Sequence, residues 1–423
     1  MLTTDPLHAE VRVFAEPHEV APGVFMHASF VNSYVLQTRD GLVIVDPGLM
    51  QNAKALHAAV RRWSDAPLRI AIYTHGHADH AFGLRGFLDA GERPQIIAQE
   101  NCPKRFERYQ LTHGLNARIN QRQFSLPAPM FPDRFDWPTL TFRDSLEQRL
   151  GETTLVLHAA RGETDDHCWV WVPEQRYLFA GDLIIWNAPN CGNPQKVQRY
   201  PVDWAEALER MAGLEPEWLF PGHGLVVQGR DAVQQILLDT ARYLRSITTQ
   251  VLERMNRGET PETIFHAVEP DPELSRRPYL RAAYDHPKFI VRNLLRLWGG
   301  WWNGNAGDLL PATFEAQAKE IAALAGGSAA LVARGRELLA AGQTVLAAHL
   351  AEWATRADAK DRAAQTLKRD VYDRRFEEEL SLMGKGIYRA AANDAREALG
   401  EAKLAPQTRL SLGGSDPRTR GHA

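Results

Sequence analysis

Residues 70–80 read Ile-Ala-Ile-Tyr-Thr-His-Gly-His-Ala-Asp-His, and no other run constrains the chain as strongly. An apolar strand, Leu68 to Tyr73, ends in His75, His77, Asp79 and His80, and a helical run from Ala81 to Ala90 follows. Four metal-competent side chains at the mouth of a buried strand lose solvation there, and bound cations or a full set of partners must make up the loss. His75 and His77 are two apart, so on extended backbone they point to the same side and can share one ion. Asp79 and His80 lie past the strand and suit a second ion. Two-metal hydrolases hold their ions about 3.5–4 Å apart. One such burst cannot complete two coordination shells, so further ligands must come from elsewhere.

Three later strand ends offer them: Arg161-Gly162-Glu163-Thr164, Ala180-Gly181-Asp182 and Pro221-Gly222-His223-Gly224. Each sets an acid or a histidine beside a glycine after an apolar run, and glycine lets backbone approach a site closely. Glu163 competes with His167 and His158 for its slot. It is favoured because it sits just past the strand, whereas His158 lies within it. Asp46, ending strand 42–45, is placed to hydrogen-bond a ligand histidine.

The order of elements around these motifs predicts an α/β arrangement with a mixed sheet. Residues 24–36 form a strand pair, Asp40-Gly41 a hairpin turn, and residues 51–63 a helix. Residues 101–137 read as a helix and then a long excursion whose arginines form a solvated face or an anion-gathering lid. A helix at 203–214 takes Asp203 as its N-cap, and one at 231–257 leaves the first domain. After Gly258 the composition shifts, and Ala-, Arg- and Glu-rich helices run to about residue 400 in what looks like a helical-hairpin repeat. The expected division is 1–235, 236–404 and a disordered tail, 405–423.

Composition narrows the function classes. The net charge of −3 over 423 residues gives no field for nucleic acid. Three cysteines without CxxC spacing argue against a thiolate zinc site and a disulfide framework. The N-terminus shows no secretory pattern, and no apolar run approaches the ~20 residues of a membrane span. A cytoplasmic protein without a transmembrane segment is expected.

The set His75-x-His77-x-Asp79-His80, Gly181-Asp182 and Pro221-Gly222-His223-Gly224 resembles the metallo-β-lactamase superfamily. The resemblance covers about residues 24–235 and implies an αββα sandwich with a binuclear, usually zinc, site at the sheet edge. Glu163 stands where many members have histidine, which looks like the alkyl sulfatase branch. Tyr284 to Leu310, with Arg292 and Gly300-Trp301-Trp302-Asn303-Gly304-Asn305, and residues 329–398 are similar to that branch's helical dimerisation domain. The fold expected is therefore the sandwich followed by an all-α domain, as a homodimer. The branch's C-terminal lipid-carrier-like domain is expected to be missing.

The resemblance implies two divalent ions: one on His75, His77 and Glu163, the other on Asp79, His80 and His223, with Asp182 bridging. It further implies cleavage of alkyl sulfate esters by metal-bound hydroxide, which Asp79 also orients. Lys196, Arg199, Tyr200 and Arg292 are candidates for gripping the anionic group of a small-molecule ester. This chain departs from the branch in three ways. Asp182 stands where glutamate is common, and Ile184 to Tyr200 lacks the histidine assigned there as proton donor. Lys288-Phe289-Ile290 replaces a Ser-His-Asn. These departures keep open a hydrolase of lactones, thioesters or phosphoesters, and a non-enzymatic protein with a structural metal site.

Overall fold

The computed structural model describes residues 17–404, so the tail expected to be disordered lies outside the described residues. Two sheets form its first half. The first runs β1 (His18–Ala21), β2 (Val24–Ala28), β3 (Asn32–Thr38), β4 (Gly41–Val45), β5 (Leu68–Ile72), β6 (Gln95–Gln99) and β7 (Leu140–Phe142), in that spatial order. Its first four strands are an antiparallel meander, and β4 to β7 are parallel. The second sheet is built from β8 (Ser145–Leu150), β9 (Thr153–Ala159), β10 (Cys168–Val172), β11 (Tyr177–Gly181), β12 (Trp218–Pro221) and β13 (Val227–Gln228). It is antiparallel except where β11 and β12 run parallel.

Alternation within the strands fixes the layers. Val43, Val45, Ile70, Ile72 and Ile97 of the first sheet share one buried core with Leu155, Leu157, Val170, Val172, Phe179 and Phe220 of the second. The opposite face of the second sheet carries Trp169, Trp171, Leu178 and Leu219 into another core, closed by helices Pro201–Gly213, Arg230–Asn256 and Pro287–Gly299. Helix Ala53–Trp63 covers the outer face of the first sheet, where Trp63 stacks on Phe25. The layers are helix, sheet, sheet, helix, as expected.

Several local expectations shift. The helical run after His80 is two short helices, Ala78–Ala81 and Arg85–Asp89. The helix predicted from Asp203 starts at Pro201, with Tyr200 at its N-cap. Asp203 lies in its first turn and pairs with Arg161. Proline tolerates the first helical position because that N–H has no helical partner. Helix Arg230–Asn256 does not leave the sandwich: Val233, Ile236, Leu237, Leu244, Ile247 and Val251 all enter its outer core.

The chain divides into two compact units, and the break does not follow the expected boundary at 235. One unit takes residues through His113 together with Pro132–Asn305, and the other takes Gly114–Phe131 and the chain from Ala306. The second unit holds helices Phe314–Leu324, Ser328–Ala340, Thr344–Ala357, Arg362–Glu378 and Leu382–Leu399. Side chains of Thr313, Asp361 and Ser381 cap three of these by accepting backbone N–H bonds. Alanines 347, 351, 354 and 364 let the helices pack closely around Leu331, Val332, Leu338, Leu367 and Val371. No helix among the described residues is long and apolar enough to cross a membrane.

Candidate metal centre

The centre forms where β5, β11 and β12 end on one rim. β5 delivers Thr74 to His80, β11 delivers Asp182, β12 delivers His223, and the turn after β9 delivers Glu163. Close approach depends on glycine at two positions. A Cβ at Gly222 would lie 2.2 Å from Asp182 Oδ1, and one at Gly181, whose φ is +52°, would lie 2.7 Å from Thr74 Oγ1.

Seven side chains converge in two groups. In the first, His75 Nε2 lies 2.8 Å from His77 Nδ1, and each of these nitrogens lies 3.4 Å from Glu163 Oε2. In the second, Asp79 Oδ2 lies 3.6 Å from both His80 Nε2 and His223 Nε2. Asp182 belongs to both. Its Oδ2 stands 3.8 Å from His75 Nε2, while its Oδ1 stands 3.1 Å from His80 Nε2 and 3.3 Å from His223 Nε2. His75, His80, Glu163 and Asp182 are buried, while His77, Asp79 and His223 are partly exposed and form the open side.

This donor set suits divalent cations. His80 Nε2, Glu163 Oε2 and Asp182 Oδ1 are buried without hydrogen-bond partners, although each faces other donor atoms of its group. Orphaned buried acceptors of this kind are costly unless a cation takes them up. The charges agree. Burial works against ionised His80 and His223, but Asp182 and Asp79 raise both imidazoles, and Asp46 adds to the effect at His80. Cations can replace the protons held there. Burial likewise pulls His77 down to about 4, which leaves it a neutral ligand.

A second ring of contacts orients the seven. Asp46 accepts from Thr74 N (2.8 Å) and Thr74 Oγ1 (2.7 Å) and lies 2.8 Å from His80 Nδ1, the partnership expected from its place after β4. His223 Nδ1 donates to the Phe30 carbonyl at 2.7 Å. Gly76 N donates to Asp166, whose other oxygen takes Arg105 Nε at 2.7 Å, so Arg105 is buried inside the unit instead of lying on a solvated face. His167 stands behind the cluster, stacked on His75 with its Nε2 accepting from Asp182 N at 3.1 Å. His158 packs against Trp169, away from the group.

The four cationic and phenolic candidates separate. Arg199 is buried against Glu163, with Nη1 2.5 Å from Oε1. Lys196 lies close enough that Asp79 and Glu163 act on its charge. Burial draws its ammonium down to about 8, and Arg199 pushes the same way. Among the described residues it has no ion-pair partner. Tyr200 carries the Arg161 guanidinium over its ring at 4.7 Å. Arg292 stacks on Phe265 at 4.3 Å, and the structure does not bring it to the cluster. Tyr284 and Asn190 carry no site signal of their own in the sequence, whereas His167, the rival to Glu163, stands behind the cluster. Burial raises the Tyr284 phenol well above its usual range, and Asp79, Glu163 and Asp182 add to the rise, so this hydroxyl stays protonated. Only the closeness of Tyr284 to Arg292 and of Asn190 to Cys191-Gly192 in the chain hinted at either.

Comparison with known proteins agrees with this architecture. Residues 28–223 match the metallo-beta-lactamase superfamily model, and residues 260–398 match the alkyl sulfatase dimerisation model. A linear primary-alkylsulfatase from Pseudomonas sp. (strain ATCC 19151) is 28% identical over 79% of this chain and 68% of its own length. An (R)-specific secondary-alkylsulfatase from Pseudomonas sp. is 21% identical over 92% of this chain and 64% of its own. The chain thus spans about two thirds of the length of these relatives. The solved structure of a stereoselective inverting sec-alkylsulfatase, Pisa1 from Pseudomonas sp., superposes with a TM-score of 0.83 at 20% identity, covering 93% of this chain and 67% of that one. The dimerisation match begins inside the first compact unit, since residues 260–305 pack with the sandwich. The chain thus carries a metallo-beta-lactamase domain followed by an alkyl sulfatase dimerisation domain.

Proposed function

We propose that this chain is a binuclear metal-dependent hydrolase that cleaves sulfate esters of alkyl alcohols. The observation that carries the reading is Asp182, which turns one oxygen to each donor group. His75, His77 and Glu163 would hold one ion, and Asp79, His80 and His223 the other. The absence of any cysteine from the set and its mixture of imidazole and carboxylate suit zinc. When bound, such ions act as Lewis acids and bring a water pKa from 15.7 to about 7. The alkyl sulfate substrate class follows from the names of the relatives.

The chain's own residues do the rest. The partly exposed side of the cluster, with His77, Asp79 and His223, admits the ester. Lys196 Nζ offers an uncommitted positive charge beside both donor groups, so it grips the anionic sulfate and can pass a proton to the departing alcohol oxygen. That assigns it the task left open by the histidine-free stretch 184–200. Tyr284, kept protonated, donates a hydrogen bond toward developing negative charge. The dimerisation match supports a homodimer, and a monomer in sedimentation at micromolar concentration would refute that part.

Two measurements test the reading. Elemental analysis after gentle purification should find about two ions per chain, and fewer than about one would sink the binuclear centre. Sulfate release from a series of alkyl sulfates should exceed turnover of lactones, thioesters and phosphoesters. No sulfate from any chain length would leave the metal centre standing and remove the substrate.

A further inference from the structure

Glu163 is the one ligand candidate whose non-coordinating atom is held by a full positive charge. Arg199 Nη1 lies 2.5 Å from Glu163 Oε1 and donates at 2.7 Å to the Asn190 carbonyl, and the Asn190 amide donates to the same Oε1. Arg199 and Glu163 are each 2% exposed. Glu163 Oε2 is left without a hydrogen bond and faces His75 and His77 at 3.4 Å. The arginine is itself fixed from behind. Asn293, on helix Pro287–Gly299, accepts from Arg199 N at 3.2 Å and donates to Arg199 O at 2.9 Å. A relay therefore runs from a helix of the dimerisation match, through Arg199, to a metal-facing oxygen.

We propose that Arg199 is a positioning and charge-balancing residue for Glu163, so that the pair serves as one neutral, single-donor ligand. The proposal rests on the metal-centre reading above. A buried carboxylate brings a negative charge that a neutral imidazole would not, and a second oxygen that could swing onto the metal. The guanidinium answers both at once: it neutralises the charge and occupies Oε1, leaving Oε2 as the only free donor. Arg199 is then committed inward, and gripping the substrate falls to Lys196. Partners of this kind, removed from other metal sites, typically weaken metal affinity by about 10–100-fold.

The test is a double-mutant cycle read by metal binding instead of turnover. Apo-protein is titrated with Co2+, followed by its visible absorption, and zinc is counted after reconstitution. Arg199→Met should weaken one of the two binding steps at least about 10-fold and leave the other intact. Arg199→Lys, which keeps the charge on a shorter side chain without the planar guanidinium, should fall between. In a Glu163→His background, Arg199→Met should change affinity by less than about 2-fold, because there is no carboxylate to balance. Unchanged binding in Arg199→Met, or an equal loss in both backgrounds, overturns the proposal. If Arg199→Met alone does not fold while Glu163→His/Arg199→Met does, the arginine is needed only for the buried acid, as proposed. If neither folds, Arg199 is a fold residue and the proposal fails. Wild-type protein that binds no Co2+ sinks the metal centre together with this inference. A normal cycle with no sulfate release sinks only the substrate.

Discussion

The imidazole and carboxylate ligands of the two donor groups are held in opposite ways. His80 and His223 in the second group each use an outward Nδ1, one against the Asp46 carboxylate and the other against the Phe30 carbonyl. Glu163 in the first group is held by a cation and an amide. The difference follows from what each ligand has left over. A neutral imidazole that gives one nitrogen to a metal keeps an N–H and needs an acceptor. A carboxylate keeps an oxygen and a charge, and needs donors. Glu163 is pushed up by burial, yet Arg199 and His77 bring it well below the ordinary carboxylate range, so it stands ionised and ready. Asp182 needs neither kind of support, because both of its oxygens face donor atoms of the cluster.

The sharpest test of this contrast is to remove what the two groups share. Asp182→Ala should lower kcat/KM by more than about 10³-fold, because several kcal/mol of charge stabilisation go with the metals. It should also reduce the metal count at both sites, whereas loss at one site only would show that Asp182 serves a single group. Lys196→Met comes next, with a fall of about 10²–10⁴-fold expected for a lost proton donor. Lys196 is charged below and neutral above its pKa of about 8, so wild-type activity should fall as pH rises through that value. Lys196→Met should lose that alkaline limb, and an unchanged pH profile in the variant would assign the proton to another group. The smallest effect belongs to Asp46→Asn. It should weaken metal binding by about 10–100-fold while leaving both ions bindable at high concentration. A loss confined to the ion that Arg199→Met affects would break the assignment of Asp46 to His80.

Much of the centre was legible because its signals are local. His75, His77, Asp79 and His80 follow one another at the end of an apolar strand, and β5 does end at that point. Gly181-Asp182 and Gly222-His223 announce themselves because glycine is required where two backbones and a carboxylate meet. Asp46 could be placed because it closes the strand parallel to β5. The supports were less visible. Arg199 read as a substrate-gripping cation, since nothing in its neighbours Gln198 and Tyr200 reveals a contact with residue 163. Arg105 read as solvated, since Asp165 and Asp166 are some sixty positions away in the chain.

Sequence by itself therefore determined a mixed α/β arrangement, the ligand types and their strand-end positions, because periodicity and glycine spacing are set by backbone geometry over a few residues, while the sandwich was implied by the family resemblance. Only the tertiary structure decided which charge answers which. Helix Arg230–Asn256 joins the sandwich core, and helix Pro287–Gly299 holds Arg199 through Asn293, although the expected division at 235 puts most of the first and all of the second in the helical half. The physical reason is that a buried charge is tolerated only beside its opposite. That pairing is settled by packing between segments far apart in the chain, where no local pattern records it.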